Sequence, residues 1–215
     1  MHIAKGGTSW ILTSIFVFIV VSVLALFSSD NLQYILYFLS FITGLVSIIF
    51  LIFFRDPQRN IGSGVVAVAD GVIRETGSIT DKDCGDAWYI STFMNLYHVH
   101  VNRMPVDGTI KQVTHIPGSH LPAFTKESDR NERVIILVET MNGIVKIVLI
   151  AGTLARRIVP YVTEGQKVKK GEKISLIRLG SRVDVYLPKK MMVTLQVQKK
   201  DRVQAGGSSL ATSHV

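Results

Sequence analysis

The chain has 215 residues, of which 47% are hydrophobic, and its formal net charge at pH 7 is +8. That length accommodates one domain of ordinary size together with an additional segment. The single cysteine, Cys84, excludes an internal disulfide and any zinc site made of several cysteines. Lys5 and Asp30 are the only Lys, Arg, Asp or Glu residues before position 55, so residues 55–215 carry the whole basic excess.

Two uncharged apolar runs, residues 10–27 and 32–54, occupy the N-terminal quarter and are separated by four polar residues. Each run is long enough to cross a hydrocarbon core of about 30 Å as a helix. A cleaved signal peptide fits poorly, because no small-x-small cleavage site follows the first run before the second begins. We therefore predict that residues 1–54 form a hairpin of two transmembrane helices.

The few charges around these runs predict how the hairpin is oriented. Lys5 precedes the first run and Arg55 and Arg59 follow the second, whereas the short loop contains Asp30. Cytoplasmic flanks of membrane spans are enriched in Lys and Arg. We expect both ends to be cytoplasmic, with the protein in the cell inner membrane and residues 55–215 as a cytoplasmic domain.

After residue 55 the pattern changes to short β-like runs separated by Gly. The clearest strand candidates are residues 134–140, 144–151, 174–178 and 192–197. No segment shows ten or more residues with the 3.6-residue period of an amphipathic helix. The fold class predicted for residues 55–215 is mainly β, a compact barrel-like sandwich preceded in the sequence by the α-helical transmembrane hairpin.

Two sequence echoes occur within this region. Asp70-Gly71-Val72-Ile73 returns as Asp107-Gly108-Thr109-Ile110, and Val168-Lys169-Lys170-Gly171 returns as Val203-Gln204-Ala205-Gly206. Because each echo occurs only twice, it indicates paired hairpins, not a long solenoid. Residues 164–174 also resemble the strand-turn-strand piece of lipoyl- and biotinyl-type barrels. The β domain is therefore expected to contain lipoyl-like hairpins.

Candidate acid–base residues precede the second half of the domain. His98 and His100 lie two residues apart, which predicts that they share one face of a strand. Three interpretations are open: the pair forms half of a metal site, the strand has one buried and one exposed His, or one of the two is a general acid–base group. Asp70, directly before Gly71, is equally interpreted as a turn residue. We predict no metal site.

The bond between Gly180 and Ser181 is the candidate reactive position. A Gly-Ser step is most often only a turn. However, Gly leaves its carbonyl carbon open to attack by the Ser hydroxyl, and the resulting ester can break by β-elimination to dehydroalanine. Hydrolysis then releases ammonia and leaves a carbonyl-bearing pyruvoyl group at a new chain terminus. Asp70, His100 and Ser181 would together supply an orienting group, a base and a nucleophile.

Several short motifs follow one another in a fixed order after the second apolar run. They are Phe54-Arg55-Asp56-Pro57, Ala69-Asp70-Gly71-Val72-Ile73, Val99-His100-Val101-Asn102-Arg103, Pro105-Val106-Asp107-Gly108, Pro117-Gly118, Asn131-Glu132-Arg133, Leu179-Gly180-Ser181 and Ala205-Gly206. In these motifs and their spacing, from Phe53 to about Ala211, the chain resembles the phosphatidylserine decarboxylases. The resemblance is strongest to the short, pyruvoyl-dependent form of bacteria and archaea.

The resemblance implies a zymogen that cleaves itself between Gly180 and Ser181, so that Ser181 becomes the covalent pyruvoyl cofactor. It also implies that Asp70 and His100 correspond to the functional Asp and His of the family. The activity implied is the decarboxylation of phosphatidylserine, or of an archaeal ether analogue, to phosphatidylethanolamine in phospholipid biosynthesis. Two departures leave the separate roles of His98 and His100 open. Arg103 stands where long members have a second His, and His98 stands where many short members have Asp or Asn.

The partners implied are a phospholipid substrate in the membrane and the two chains made by self-cleavage, which are expected to stay associated. No nucleic-acid partner is predicted, and a homo-oligomer is left open. The alternative from another class is a non-catalytic, membrane-tethered adaptor with a lipoyl-like barrel. Such an adaptor would have no use for the Gly180–Ser181 bond.

Overall fold

The computed structural model describes residues 2–119, 130–152, 158–177 and 181–213. The chain divides into two compact units, Met1–Gln58 and Arg59–Val215. The elements are β1 (His2–Ile3), α1 (Thr8–Phe27), α2 (Asp30–Phe53), β2 (Arg55–Asp56), β3 (Val65–Val66), β4 (Gly71–Asp81), β5 (Gly85–Met94), β6 (Val101–Arg103), β7 (Gly108–Ile116), β8 (Arg133–Thr140), β9 (Gly143–Ala151), β10 (Ile158–Pro160), β11 (Lys167–Val168), β12 (Lys173–Ile177), β13 (Ser181–Pro188), a 3-10 helix (Lys189–Met191), β14 (Val193–Leu195), β15 (Arg202–Val203) and β16 (Ser209–Ser213). The predicted fold class, mainly β and preceded in the sequence by a helical hairpin, is confirmed.

Both helices of the first unit are apolar around most of their circumference. α1 has 20 residues and α2 has 24, which correspond to about 30 and 36 Å at the helical rise and are enough to cross a hydrocarbon core. Large apolar side chains remain exposed, among them Phe16 at 66% and Phe41 at 68%. A helix in the core of a water-soluble protein buries such side chains. The length and surface of α1 and α2 therefore suggest membrane association.

The two helices form an antiparallel hairpin. The rings of Trp10 and Phe50 meet edge to face with centroids 6.1 Å apart, and further along the pair the Ser22 and Ser40 hydroxyls lie 2.6 Å apart. At the end of the hairpin away from the loop between the helices, β1 pairs antiparallel with β2, so the segment before α1 runs beside the segment after α2. Both flanks of the hairpin consequently lie at the same end of this unit.

The second unit is built around one curled antiparallel sheet of eight strands, in the order β11-β7-β8-β9-β13-β5-β4-β15. Two three-stranded sheets, β10-β12-β6 and β14-β16-β3, accompany it. Alternate side chains of the long strands face a common core, as Val134, Ile136 and Val138 of β8 do. This inward alternation is what the two-residue period of the apolar runs requires.

The strand pattern of the second unit occurs twice, and one copy is inserted into the other. The inserted repeat comprises β6 to β12, residues 101–177. The host repeat comprises β3 to β5, residues 65–94, and β13 to β16, residues 181–213. Under this correspondence the eight-stranded sheet has the same order from either edge, because β11 matches β15, β7 matches β4, β8 matches β5 and β9 matches β13.

Equivalent backbone hydrogen bonds support the duplication. They join Ile110 N–H to Gln166 O and Ile73 N–H to Asp201 O, Gly165 N–H to Ile110 O and Lys200 N–H to Ile73 O, and Gly171 N–H to Met104 O and Gly206 N–H to Ala67 O. Gly171 and Gly206 both have positive φ, 84° and 74°, in the turns that close the matching hairpins. The sequence echoes therefore mark a structural duplication.

Candidate functional site

Ser181 is the first residue of β13 and lies between two neighbouring strands. Its backbone is paired with Met94 at the end of β5 on one side and with Ala151 at the end of β9 on the other. The side chain is fully buried, and its hydroxyl donates to Met94 Sδ at 3.1 Å. Gly180, the other half of the candidate bond, lies outside the described residues. Burial excludes water from this hydroxyl, so little water would compete with it in an attack on a neighbouring carbonyl carbon.

The site lies where the chain leaves the host repeat and where it returns. Residues 95–100 lead from β5 to the inserted repeat, and the chain re-enters the host repeat at Ser181. Met94 faces Ser181, and the Ile177 N–H donates to His100 O at 3.2 Å, so both ends of the outgoing connection contact described residues of the returning chain. The structure thus brings His100 and Ser181 to one junction.

His100 is fully buried at this junction and has a defined tautomer. Its Nδ1 lies 2.8 Å from the carbonyl oxygen of His98. A carbonyl oxygen only accepts hydrogen bonds, so in the neutral ring Nδ1 carries the proton and Nε2 carries the lone pair. This arrangement suits Nε2 to accept a proton.

His98 has the opposite tautomer and another local role. Its ring Nδ1 accepts the Asn95 backbone N–H at 2.9 Å, so Nε2 carries the proton of the neutral ring. The backbone N–H of His98 in turn donates to Asn95 O. His98 and His100 both precede β6, which begins only at Val101. The prediction that the two His share a face of a strand was wrong, because the side-chain bond from His98 to Asn95 stabilises a tight turn there.

Asp70 stands directly before β4, which pairs with β5 on the side away from β13. Its carboxylate is mostly buried and accepts two short hydrogen bonds: Oδ1 from the Ala205 N–H and Oδ2 from Arg59 Nη2, both at 2.7 Å. Within the described part of the chain, neither bond involves His100 or Ser181. Because the start of β4 and the start of β13 both pair with the end of β5, Asp70 lies at the same end of the sheet as Ser181, with β5 between them. Arg59 is a partner that the sequence indicated only as a flanking charge.

A buried ion pair follows Ser181 on the opposite face of β13. Arg182 donates from Nε and Nη2 to Asp184, at 3.0 Å to Oδ1 and 2.7 Å to Oδ2, and the Asp184 side chain is only 3% exposed. The hydroxyls of Ser91 and Tyr89 on β5 also bond this carboxylate. Burial raises the pKa of Asp184, although these partners oppose the shift. The sequence analysis did not single out this ion pair, although two opposite charges two residues apart within an apolar run could have indicated it.

Further candidate reactive side chains include Cys84, His115 and His120. Burial, reinforced by the nearby Asp81, raises the pKa of the Cys84 thiol to about 12, so it stays protonated. His115 bonds Glu132 at 3.0 Å, while His120 lies outside the described residues. Across residues 2–119, 130–152, 158–177 and 181–213, no group of three or more His, Cys, Asp or Glu side chains is placed to hold a metal ion.

Comparison with known proteins identifies relatives of one kind. The sequence model of the phosphatidylserine decarboxylase family matches residues 46–211. Over 149 residues the chain is 48% identical to the phosphatidylserine decarboxylase proenzyme of Streptomyces avermitilis, covering 69% of this chain and 67% of that protein. Over 221 residues it is 38% identical to the putative archaetidylserine decarboxylase proenzyme of Methanosarcina mazei, covering 98% and 96%. The corresponding protein of Methanococcoides burtonii is 36% identical over 215 residues, covering 97% and 95%.

Proposed function

This chain belongs to the phosphatidylserine decarboxylase family, and from that premise we propose that it makes its own pyruvoyl cofactor and decarboxylates a phospholipid with a serine headgroup. Membership makes the chain an enzyme of the decarboxylase class. The observation that carries the proposal is the burial of the Ser181 hydroxyl at the junction of the two repeats, where the carbonyl of His100 also bonds the returning chain at Ile177. The comparisons do not favour the non-catalytic adaptor.

Self-cleavage begins with the Ser181 hydroxyl. Its oxygen attacks the Gly180 carbonyl carbon as His100 Nε2 accepts the proton, and the C–N bond breaks to leave an ester and a free amine on residue 181. Loss of the Cα proton of residue 181 then expels the Gly180 carboxylate, and addition of water releases ammonia. The tautomer fixed by the His98 carbonyl supports His100 as the base.

Ser181 fits the position of a pyruvoyl group because it begins a strand that is paired on both sides. The group would supply a carbonyl that condenses with the substrate amine and accepts the electron pair released with carbon dioxide. The chain's own contribution is to exclude water around residue 181 and to deliver a proton from His100 to the carbon that has lost the carboxyl group.

The substrate proposed is phosphatidylserine or its archaeal ether analogue, and the diacyl product is phosphatidylethanolamine. The bacterial relatives are named for the first lipid and the archaeal ones for the second. Both lipids share the serine headgroup, on which the chemistry takes place. Parallel assays with diacyl and ether lipids of the same headgroup distinguish the two sources.

We place the hairpin of α1 and α2 in the cell inner membrane with both flanks in the cytoplasm. Lys5 and Arg55 flank it at the end where β1 and β2 pair, and Asp30 begins α2 at the opposite loop. Reporter fusions at Asp30 and after Val215 test this topology. A cytoplasmic reporter signal at Asp30 contradicts it.

The two chains made by cleavage are proposed to remain together. Residues 181–215 contain β13 to β16, and these strands pair with β3, β4, β5 and β9 of the large chain. None of these pairings depends on the bond between residues 180 and 181. Co-purification of the small chain is therefore expected.

Denaturing electrophoresis and mass analysis of the purified enzyme test the proposal. Wild type should give chains of residues 1–180 and 181–215, the second with a blocked terminus that reacts with hydroxylamine. Ser181→Ala lacks the attacking oxygen and should remain an inactive 23.8 kDa chain. Ser181→Thr keeps a hydroxyl and should cleave slowly, giving a ketobutyryl terminus. Active wild-type enzyme present only as the intact chain would rule out the pyruvoyl mechanism.

A further inference from the structure

A polar pair lies in the buried interior near the junction. Asn102 of β6 faces Ser175 of β12, and both side chains have no exposed area. The Asn102 Nδ2 donates to Ser175 Oγ at 2.9 Å. The pair lies on the two strands that lead into the site, because Asn102 follows His100 by two residues and Ser175 precedes Ile177, whose N–H donates to His100 O.

The remaining polar atom of the amide, Asn102 Oδ1, accepts no hydrogen bond from the residues that the structure describes. A buried acceptor in this state has lost its hydration without replacement, and natural proteins rarely retain such atoms without a reason. A ligand that donates to Oδ1 would remove this cost.

The host repeat shows that the fold itself does not require a polar pair here. Ser175 pairs with Asn102 just after a register irregularity, and in the host repeat Ala211 pairs with Val65 just after the same irregularity. Val65 and Ala211 are buried and apolar, at 3% and 0% exposure. One architecture therefore contains an apolar solution far from the site and a polar solution beside it.

We propose that Asn102 binds the ammonium group of the substrate through Oδ1, and that Ser175 holds the amide in the orientation this requires. The inference rests on the proposed function. Among the polar groups of a serine headgroup, the carboxylate, phosphate and ester oxygens only accept hydrogen bonds, whereas the ammonium group only donates them. An acceptor with no donor is complementary to the ammonium group alone. Because Asn102 is fully buried in the uncleaved chain, the amine binds after cleavage.

The test replaces the polar pair by the apolar pair of the host repeat, in the double variant Asn102→Val, Ser175→Ala. Since this pair already packs in the equivalent position, the variant should unfold at a temperature no lower than wild type and should cleave fully between residues 180 and 181. Its KM for phosphatidylserine in mixed micelles should rise about 10- to 100-fold, as expected for loss of a hydrogen bond to a charged group, with a smaller change in kcat. Ser175→Ala alone should raise KM less.

Each outcome decides the matter. A wild-type KM in the double variant shows that the amine does not meet Asn102 and overturns the inference. A lowered unfolding temperature shows that the pair serves the fold and overturns it equally. An inactive or uncleaved wild-type protein refutes the proposed function instead, before the variants are compared.

Discussion

The host repeat and the inserted repeat differ most where the site lies. In the inserted repeat, β8 continues into β9 through a tight turn, with Thr140 opposite Gly143. In the host repeat the equivalent strands β5 and β13 are joined only through the whole inserted repeat, with Met94 opposite Ser181. The bond proposed for cleavage, between residues 180 and 181, is thus next to the position that a simple turn would occupy. Cleavage there would leave the host repeat with two paired strand ends and would remove no strand pairing.

Asp70 and Asp107 sharpen the same comparison. Each begins the matching hairpin of its repeat, and each accepts a backbone N–H at 2.7 Å, from Ala205 and Lys170 respectively. That bond therefore belongs to the fold. Only Asp70 also accepts a bond from an arginine, Arg59, within the described residues. The ion pair, and not the backbone bond, distinguishes the aspartate near the site.

The largest effect is expected from His100, which lies in the connection that the inserted repeat lacks. His100→Ala should slow self-cleavage or decarboxylation by about 10²–10⁴-fold, the usual contribution of one acid–base group, because the Nε2 lone pair is lost. His98→Ala is the matched control. It removes the bond from Asn95 and the ring contact with Tyr97, and it should cost about 1 kcal/mol of unfolding free energy while leaving cleavage near wild type. Cleavage time courses on gels, decarboxylation assays and thermal unfolding compare the two variants. A His100→Ala protein that both cleaves and decarboxylates as fast as His98→Ala would remove His100 from the site.

A smaller effect is expected from comparing Asp70→Asn with Asp107→Asn. Both amides can still accept the backbone N–H through an oxygen, so both variants should fold. Only Asp70→Asn loses the charge that meets Arg59, and it should slow self-cleavage by about 100-fold, at the lower end of the acid–base range. Asp107→Asn should cleave at the wild-type rate. If cleavage slows equally in both, Asp70 has only the structural role that it shares with Asp107.

Much of the fold was predictable because it is encoded locally. The apolar runs at 10–27 and 32–54 correspond to Thr8–Phe27 and Asp30–Phe53, since length and lack of charge define such helices. The strand candidate at 144–151 corresponds to Gly143–Ala151. The insertion of one repeat into the other was not predictable. It depends on the pairing of β5 with β13, whose residues are far apart in sequence, and no local pattern records that pairing.

The site was predictable only as a set of residues, not as an arrangement. Ser181 and His100 lie at one junction, whereas Asp70 bonds Arg59, a residue that the sequence indicated only as a flanking charge. The strand predicted for His98 and His100 is absent because a side-chain bond stabilises a turn there. Asn102 gave no signal, because an amide within a β-like run does not reveal that one of its atoms is buried without a donor.

The smallest expected effect concerns charges buried at equivalent positions of the two repeats. Lys146 in β9 and Asp184 in β13 each lie three residues into their strand. Lys146 donates to Asp81 at 2.7 Å and to Asp83 at 2.8 Å. Burial alone would raise the pKa of Asp81, but the bonds from Lys146 and from backbone amides outweigh it and lower that pKa. For Asp184 burial prevails, and its pKa is raised.

The two shifts predict opposite responses to acid. Because Asp184 has a raised pKa, the folded chain binds its proton more tightly than the unfolded chain. Its contribution to the free energy of unfolding therefore increases as pH falls towards the ordinary value of 3.8. The contribution of Asp81 is present above 3.8 and is lost as pH falls through its lowered pKa.

Chemical unfolding of the detergent-solubilised full chain between pH 7 and pH 3, with Ser181→Ala as the common background, measures this difference. Relative to Asp184→Asn, the parent should gain stability on acidification, with a slope of at most about 1.4 kcal/mol per pH unit. Relative to Lys146→Met, the parent's advantage should shrink over the lowest part of the range. The charged and titratable groups that share a cavity with Asp184 are Lys82, Tyr89, Arg133, Lys146, Arg182 and Tyr186. None of them changes charge in this window, so the slope reports Asp184 itself. A difference between the parent and Asp184→Asn that does not vary with pH would show that the Asp184 carboxyl group has the same pKa in the folded and unfolded chain.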